Sequence, residues 1–291
     1  MTASTPVKTT SLTRKPLDDE IDVYGLTHPG KVRRTNQDHF LLASLHKRMA
    51  VHLTNLPDVS QLTREDERLA FLAMIADGVA GSAKGALASR LALERITQYV
   101  SRSLDCYYRA DPREASFTDV LQEAALQTHT EVLRHGAEDA DLAGMATTLT
   151  VFIGVWPWVY VVQVGDSRYY VFREGELHRI TRDQTLAQEL FDRGALTRTD
   201  AFRSPLANVL SSAIGGPLAA PVVTRLQSDW RNVHLLCTDG LTKHVSDEGI
   251  KQRLAEMTSA KQACETLLQD ALDDGGRDNI TIIVGRAVQK E

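Results

Sequence analysis

The chain has 291 residues, of which 43% are hydrophobic, and a formal net charge of −5. This length and apolar content suffice for one domain with a sizeable core, and the acidic balance gives no basic field for binding nucleic acid. No run approaches the ~18 apolar residues that a membrane span needs, and the N-terminus lacks the apolar stretch of a secretory signal. We therefore expect a soluble cytoplasmic protein that binds neither nucleic acid nor membranes.

The N-terminal twenty residues are rich in Thr, Ser, Lys and Pro and contain little that could be buried. They predict a flexible tail over 1–20, followed by a single domain over 21–291. Cys106, Cys237 and Cys264 are scattered and odd in number, which favours reduced thiols over a disulfide framework or a zinc site.

The first half of the domain predicts strands around two helices. A strand over 21–30, ending in a Pro-Gly turn, and a second over 38–45 predict a hairpin. A polar loop with one helical turn is expected over 47–67 and a strand over 69–76. Apolar residues at helical spacing then predict two long helices packing on a sheet, over 83–103 and 117–135.

The second half predicts more strands than helices. Four strands with turns at Trp156-Pro157 and Glu174-Gly175 are interpreted as an antiparallel meander, over 147–155, 158–164, 169–173 and 177–180. A short helix over 186–193 precedes a long loop over 194–217, and such loops are often functional. The remaining predicted elements are strands over 222–226 and 233–237, a helix over 260–272 and a last strand ending at 284.

Three predicted strand ends each carry an aspartate. Asp77-Gly78 and Asp239-Gly240 follow apolar runs, and Asp278 stands just before the apolar ITIIV. A single Asp-Gly is more often an ordinary turn. Side by side, however, the three carboxylates would need a compensating cation, and glycine leaves the Gly78 carbonyl free to face one. The repetition therefore indicates a site for hard metal ions.

A basic pair lies in VRRTNQD, between the first two predicted strands. Arginine near metal-bound carboxylates is suited to hold an anionic substrate, because its planar fork pairs with two phosphate oxygens. A surface Arg-Arg pair in a turn is the alternative.

Seven short motifs occur in order over most of the chain, and together they resemble the type 2C metal-dependent serine/threonine protein phosphatases in their compact bacterial form. The motifs are RRTNQD at 33–38, ADGVAG at 76–81, GMATTL at 144–149, VGDSR at 164–168, TRDQT at 181–185, CTDGL at 237–241 and DNIT at 278–281. The resemblance implies an α+β fold, in which a central sandwich of two antiparallel β-sheets is flanked by helix pairs on both faces.

The resemblance also implies roles for individual residues. Asp77 becomes the carboxylate that bridges two Mn²⁺ or Mg²⁺ ions, Gly78 a carbonyl ligand, and Asp239 and Asp278 ligands of the first ion. Arg33, five residues before Asp38, becomes the phosphate clamp in preference to Arg34.

Gln37 and Val79 differ from the family pattern, and Asp141 matches a position at the edge of the family's metal site. Many family members carry glutamate where this chain has Gln37, so Asp38 is expected to serve the second ion through water, and that ion to bind more loosely. Val79 stands where eukaryotic members place a histidine acid. Asp141 matches a ligand of a third, weaker ion, although nearby Asp139 and a purely solvated role for Asp141 stay open.

The predicted function is hydrolysis of phosphoserine and phosphothreonine by direct attack of a water held between two divalent ions. Phosphorylated proteins are the expected substrates, with a serine/threonine kinase as an expected partner and a monomer as the expected state. Cys237 lies in an apolar run and is interpreted as packing, and Asp166 and Asp183 as structural turn residues.

Two other function classes are weighed. A phosphatase-shaped binding module with weak or lost catalysis is favoured only by Gln37 and Val79. A two-metal nuclease is disfavoured by the acidic charge.

Overall fold

The computed structural model describes residues 14–47, 67–79, 82–102 and 115–290. Their ten strands are β1 (Ile21–His28), β2 (His39–Lys47), β3 (Glu67–Ala76), β4 (Leu149–Val155), β5 (Trp158–Val164), β6 (Arg168–Arg173), β7 (Glu176–Arg179), β8 (Val222–Gln227), β9 (Val233–Cys237) and β10 (Ile280–Ala287). They form two five-stranded antiparallel sheets. The first sheet has the order β1-β10-β9-β6-β7 and the second the order β2-β3-β4-β5-β8.

The helices of the described residues lie outside this pair of sheets. They are α1 (Ser82–Arg102), α2 (Ala115–Glu138), α3 (Leu186–Asp192), α4 (Arg198–Arg203), α5 (Asp239–Thr242), α6 (Asp247–Ala255) and α7 (Ala260–Asp273). Several begin at hydroxyl caps that accept a backbone N–H, as Thr185 does for α3 and Ser259 for α7.

Three apolar layers hold the architecture together, and β3 contributes to two of them. Ala73 and Ile75 face the other sheet, in a layer with Tyr169 and Leu236. The alternate β3 residues, such as Met74, pack in the layer under α1 and α2. Because both faces of the strand are buried, its sequence is a continuous apolar run and not an alternating one. The third layer lies under α6 and α7. The predicted fold class is confirmed.

The predicted hairpin between the first two strands is wrong. β1 pairs with β10 along its whole length, from Ile21 opposite Ala287 to His28 opposite Ile280, whereas β2 pairs with β3. The segment between β1 and β2 therefore crosses from one sheet to the other. The same correction applies to the predicted meander, because β5 pairs with β8 while β6 pairs with β9.

Other differences concern short elements and chain ends. α4 and a 3₁₀ turn (Pro205–Asn208) lie within the predicted 194–217 loop, and neither α5 nor α6 is predicted from the sequence. Within the predicted tail, the Arg14 backbone carbonyl accepts a hydrogen bond from the Trp230 indole. The predicted helical turn in the 47–67 loop, residues 1–13 and Cys106 fall outside the described residues. None of the helices described here is both long and apolar enough to cross a membrane.

Candidate metal and phosphate site

The strand register brings four aspartates to one end of the sandwich. In the second sheet, His39 pairs with Ala76, so Asp38 and Asp77 lie side by side just beyond these residues. In the first sheet, β9 pairs with β10. Asp239 starts α5 two residues after the end of β9, and Asp278 lies two residues before the start of β10. The three predicted strand ends therefore meet, and Asp38 joins them.

Asp38 is the most enclosed member of this cluster, with 3% of its surface exposed. Its Oδ2 accepts hydrogen bonds from Thr281 Oγ1 at 2.7 Å and Thr238 Oγ1 at 3.0 Å. Its Oδ1 is buried and has no hydrogen-bond partner. Burial raises the pKa of Asp38 to about 7, against the two threonine hydrogen bonds that lower it. The site thus contains a carboxylate oxygen that would be stabilised by a cation.

Asp77 is held through its backbone. Its N–H donates to Thr148 Oγ1 at 3.0 Å, and its carbonyl accepts from Thr148 N at 2.9 Å and Thr147 Oγ1 at 2.8 Å. Burial, followed by the charges of Asp38 and Asp239, raises the pKa of Asp77 well above its usual value. An ionised Asp77 in this surrounding requires positive charge nearby.

Gly78 and α1 approach each other so closely that no side chain fits between them. A Cβ on Gly78 would lie 2.2 Å from the backbone oxygen of Gly85. The requirement for glycine after Asp77 is therefore steric, and it is set by the helix that follows. Gly78 forms an isolated bridge with Thr147.

Asp278 is bound by two side-chain cations. Arg33 Nε donates to its Oδ1 at 2.9 Å and Arg33 Nη2 to its Oδ2 at 3.3 Å, while Lys243 Nζ lies 3.0 Å from Oδ2. Burial acts to raise the pKa of Asp278, but Lys243 and Arg33 outweigh it and the pKa is lowered. Lys243 Nζ is also 2.5 Å from Asp239 Oδ2.

Asn279 fixes the loop that carries Arg33. Its amide donates to the carbonyls of Pro29 at 3.0 Å and Thr35 at 2.9 Å, and its Oδ1 accepts from the Gln37 N–H at 2.9 Å. The loop is thus attached at three points to the residue next to Asp278. Arg33, the predicted phosphate clamp, has 52% of its side chain exposed and faces the acidic cluster.

The donors in this cluster suit Mn²⁺ or Mg²⁺, because all are hard oxygens and the buried Oδ1 atoms of Asp38 and Asp239 have no hydrogen-bond partner. Within the described ranges, however, no three Asp, Glu, His or Cys side chains are grouped closely enough to hold an ion. Asp278 instead accepts hydrogen bonds from Arg33 and Lys243. The oxygen donors of the cluster therefore fit these ions chemically, while Asp278 is neutralised by two side-chain cations.

Asp141 belongs to an exposed 3₁₀ turn (Ala140–Leu142), and its backbone N–H donates to Asp139 Oδ1 at 2.8 Å. Asp139 is therefore engaged as the cap of this turn. Val79 is 47% exposed beside Asp77, and the Gln37 side chain reaches the position where a Cβ on Gly85 would stand. The metal role of Asp141 stays a prediction.

Sequence reasoning missed two residues of the cluster. The sequence indicates a structural turn residue at Asp166, but no hydrogen bond to its carboxylate is present among the described residues. It is 8% exposed, and burial, then the charges of Asp239 and Asp183, raise its pKa. Lys243 was also missed, although its position four residues after Asp239 on a helical turn is a recognisable ion-pair spacing.

Two structural interpretations agree with the contacts. Asp183 accepts two hydrogen bonds from Arg168, at 3.0 and 2.7 Å, and forms an ion pair with Arg179. Cys237 is fully buried, and burial raises the pKa of its thiol to about 12, which leaves no thiolate for nucleophilic chemistry.

A groove of about 1290 Å³ extends from the cluster between α4 and α6. Its lining includes Arg33, Asp239 and Asp278 at one end, and Arg198 and Arg203 of α4 in the wall. Since α4 lies in the segment predicted to be a functional loop, this segment borders the groove that leads to the aspartate cluster.

Comparison with known proteins identifies related chains. The family model described as protein phosphatase 2C matches residues 55–274. The serine/threonine protein phosphatase PstP of Mycobacterium tuberculosis is 32% identical over 217 residues, which is 75% of this chain and 40% of that protein. The chain therefore spans less than half the length of this relative. The serine/threonine phosphatase stp of Listeria monocytogenes is 28% identical over 73% of this chain and 83% of its own length.

A solved structure adds a metal-bound example. The catalytic domain of PstP in complex with two manganese ions superposes with a TM-score of 0.70 and 27% identity, covering 92% of this chain and 99% of that one. The predicted cofactor type agrees with the ions in this neighbour.

Proposed function

Because the chain belongs to the protein phosphatase 2C family, we propose that it removes phosphate from phosphoserine and phosphothreonine in proteins with the help of two Mn²⁺ or Mg²⁺ ions. The family membership confirms the resemblance found in the sequence. In this proposal the substrates are phosphorylated proteins. A serine/threonine kinase is the partner that phosphorylates them, and the protein acts as a monomer.

One observation supports this proposal above all others. Asp38, Asp77, Asp239 and Asp278 lie together beside an arginine that can reach a phosphate, and buried carboxylate oxygens of Asp38 and Asp239 have no partner. Buried carboxylate oxygens without a partner are costly, so these two Oδ1 atoms favour a cation as part of the functional site.

The proposed ligands are Asp77 as the bridge between the ions, the Gly78 carbonyl, and Asp239 and Asp278 for the first ion. Two ions bound there would supply the activation of a water for direct attack at phosphorus. Asp38, oriented by Thr238 and Thr281, would act on the second ion through water. Asp141 would serve a third, weaker ion.

The chain's own residues have defined tasks in this proposal. Arg33 would turn from Asp278 to a phosphate oxygen pair, for which its guanidinium fork is suited. Asn279 would keep the loop of Arg33 in place through its three hydrogen bonds. No covalent intermediate is needed, which agrees with the buried and protonated Cys237.

The alternative of a phosphatase-shaped binding module keeps one observation in its favour. Asp278 is already paired with Arg33 and Lys243, so this chain can satisfy that carboxylate without an ion.

The experiment is release of phosphate from a phosphothreonine peptide by the full chain in Mn²⁺, with EDTA as the blank. We expect hydrolysis in Mn²⁺, none in EDTA, and none by Asp77→Asn, because an amide cannot neutralise two dications. The matched control is Asp119→Asn on the exposed side of α2, which should retain activity.

Two outcomes would contradict the proposal. Activity of Asp77→Asn within about tenfold of wild type, or ~1.4 kcal/mol in the barrier, would remove Asp77 from its assigned role. Binding of the phosphopeptide in Mn²⁺ without any release of phosphate would favour the binding module.

A further inference from the structure

Lys243 lies at the C-terminal end of α5 and contacts two aspartates of the cluster. Its backbone N–H donates to the Asp239 carbonyl at 2.8 Å. This helical turn brings the ammonium group back to Asp239, where Nζ lies 2.5 Å from Oδ2. The same ammonium lies 3.0 Å from Asp278 Oδ2. The Lys243 side chain thus connects the carboxylate that follows β9 with the carboxylate that precedes β10.

The two carboxylates are engaged to different degrees. Asp278 accepts hydrogen bonds on both oxygens, from Arg33, Lys243 and the Asn279 N–H at 3.0 Å. Asp239 uses Oδ2 for Lys243, while its Oδ1 is buried without a hydrogen-bond partner. Lys243 is therefore the contact that the two carboxylates share.

A divalent ion that bound the free Oδ1 of Asp239 and an oxygen of Asp278 would lie close to the ammonium group that now bridges the Oδ2 atoms of the same two carboxylates. Two cations in contact with one carboxylate repel each other strongly. Only 36% of the Lys243 side chain is exposed, so its ammonium has a limited set of other positions.

We propose that Lys243 is a built-in counter-cation that competes with the divalent ion for Asp239 and Asp278 and so lowers the metal affinity of this site. The inference depends on the proposed metal-dependent function. It predicts that the wild-type protein fills this site only at elevated divalent concentration, and that metal loading is coupled to movement of one lysine.

The test is calorimetric titration of Mn²⁺ into the EDTA-stripped full chain, comparing wild type with Lys243→Gln. We expect the dissociation constant of the tightest event to fall at least tenfold, or 1.4 kcal/mol, in the variant. Lys243→Arg keeps the positive charge and should retain weak binding. Lys251→Gln is the matched control, because it removes a lysine charge that pairs with Glu176 and lies outside the groove lining.

Thermal unfolding gives a second readout, independent of catalysis. Without metal, Lys243→Gln should unfold at a lower temperature than wild type, because Asp239 and Asp278 lose their shared cation. In saturating Mn²⁺ this deficit should disappear, since the ion replaces the lysine. A simple structural ion pair would instead lower the unfolding temperature equally in both conditions.

The possible results separate this inference from the proposed function. If wild type binds Mn²⁺ and hydrolyses substrate, but Lys243→Gln has the same or weaker affinity, the competition is refuted while the phosphatase proposal stands. If neither protein binds Mn²⁺, both proposals fail. Mn²⁺ binding by Lys243→Gln alone would support the competition in its strongest form.

Discussion

The burial of Asp38 leads to a prediction about stability in the absence of metal. The carboxylate is 3% exposed, and burial raises its pKa from the usual 3.8 to about 7. At 1.36 kcal/mol per pKa unit, ionised Asp38 would cost about 4 kcal/mol of folding free energy at pH 8. Asparagine in its place carries no charge, and its amide oxygen can accept the same two threonine hydrogen bonds.

The sign of the pH dependence follows from the direction of this shift. Between pH 3.8 and about 7 the folded protein binds more protons at Asp38 than the unfolded chain does. The stability contributed by this group is therefore fully present below pH 3.8 and is lost as the pH rises through 7. Asp38→Asn should remove this part of the pH dependence.

We expect Asp38→Asn in EDTA at pH 8 to be more stable than wild type by about 2 kcal/mol, half of the full cost, because the buried amide N–H groups need partners of their own. This corresponds to roughly 4 °C in unfolding temperature. The gain should vanish near pH 5. In saturating Mn²⁺ the order should reverse, because the ion compensates the wild-type carboxylate.

Thermal unfolding at pH 5 and 8, with and without Mn²⁺, measures these differences, and Asp119→Asn controls for loss of an exposed carboxylate. A variant no more stable than wild type in EDTA at pH 8 would refute the reasoning that buried charge strains this site.

The remaining predictions concern Arg33, Asp141 and two glycines. Arg33→Ala should weaken inhibition by free phosphate while Mn²⁺ binding persists; unchanged phosphate inhibition would transfer the clamp to Arg34. Asp141→Ala should lower turnover only in the high-metal part of a Mn²⁺ titration, with one weak calorimetric event lost, and an unaltered titration would identify a solvated carboxylate. Gly240→Ala should cost about 3 kcal/mol in urea unfolding, because its Cβ would lie 1.9 Å from a backbone oxygen. Gly144→Ala, with φ of 76° but no atom within 4 Å of a Cβ, should cost only about 1 kcal/mol, so equal losses would contradict the steric argument.

Local sequence patterns determined the elements that carry the site. The continuous apolar run before Asp77 predicts a buried strand, and in the structure β3 is buried on both faces, between a helical layer and the other sheet. The periodicity of α1 and α2 likewise predicts helices packed on one face. These patterns depend on neighbours in the chain, so they can be interpreted from the sequence alone.

Strand partners could not be obtained in this way. β1 was expected to pair with the next strand but pairs with β10, more than 250 residues away, because an apolar strand fits equally well in either sheet. The choice is made by the packing of the whole sandwich. The crossing loop that this pairing creates is what carries Arg33 to Asp278.

The ionic state of the site was likewise decided by tertiary structure. The motifs identified the aspartates, but the pairing of Arg33 and Lys243 with Asp278 arises from through-space contacts between residues 245 and 35 positions apart. Asp166 joins the cluster for the same reason, through the charge of Asp239. Electrostatic energy depends on the distances between charges and on their burial, and sequence motifs contain neither quantity. The motifs could therefore predict which residues form the site, whereas the ion pairs and pKa shifts of these residues could be obtained only from the fold.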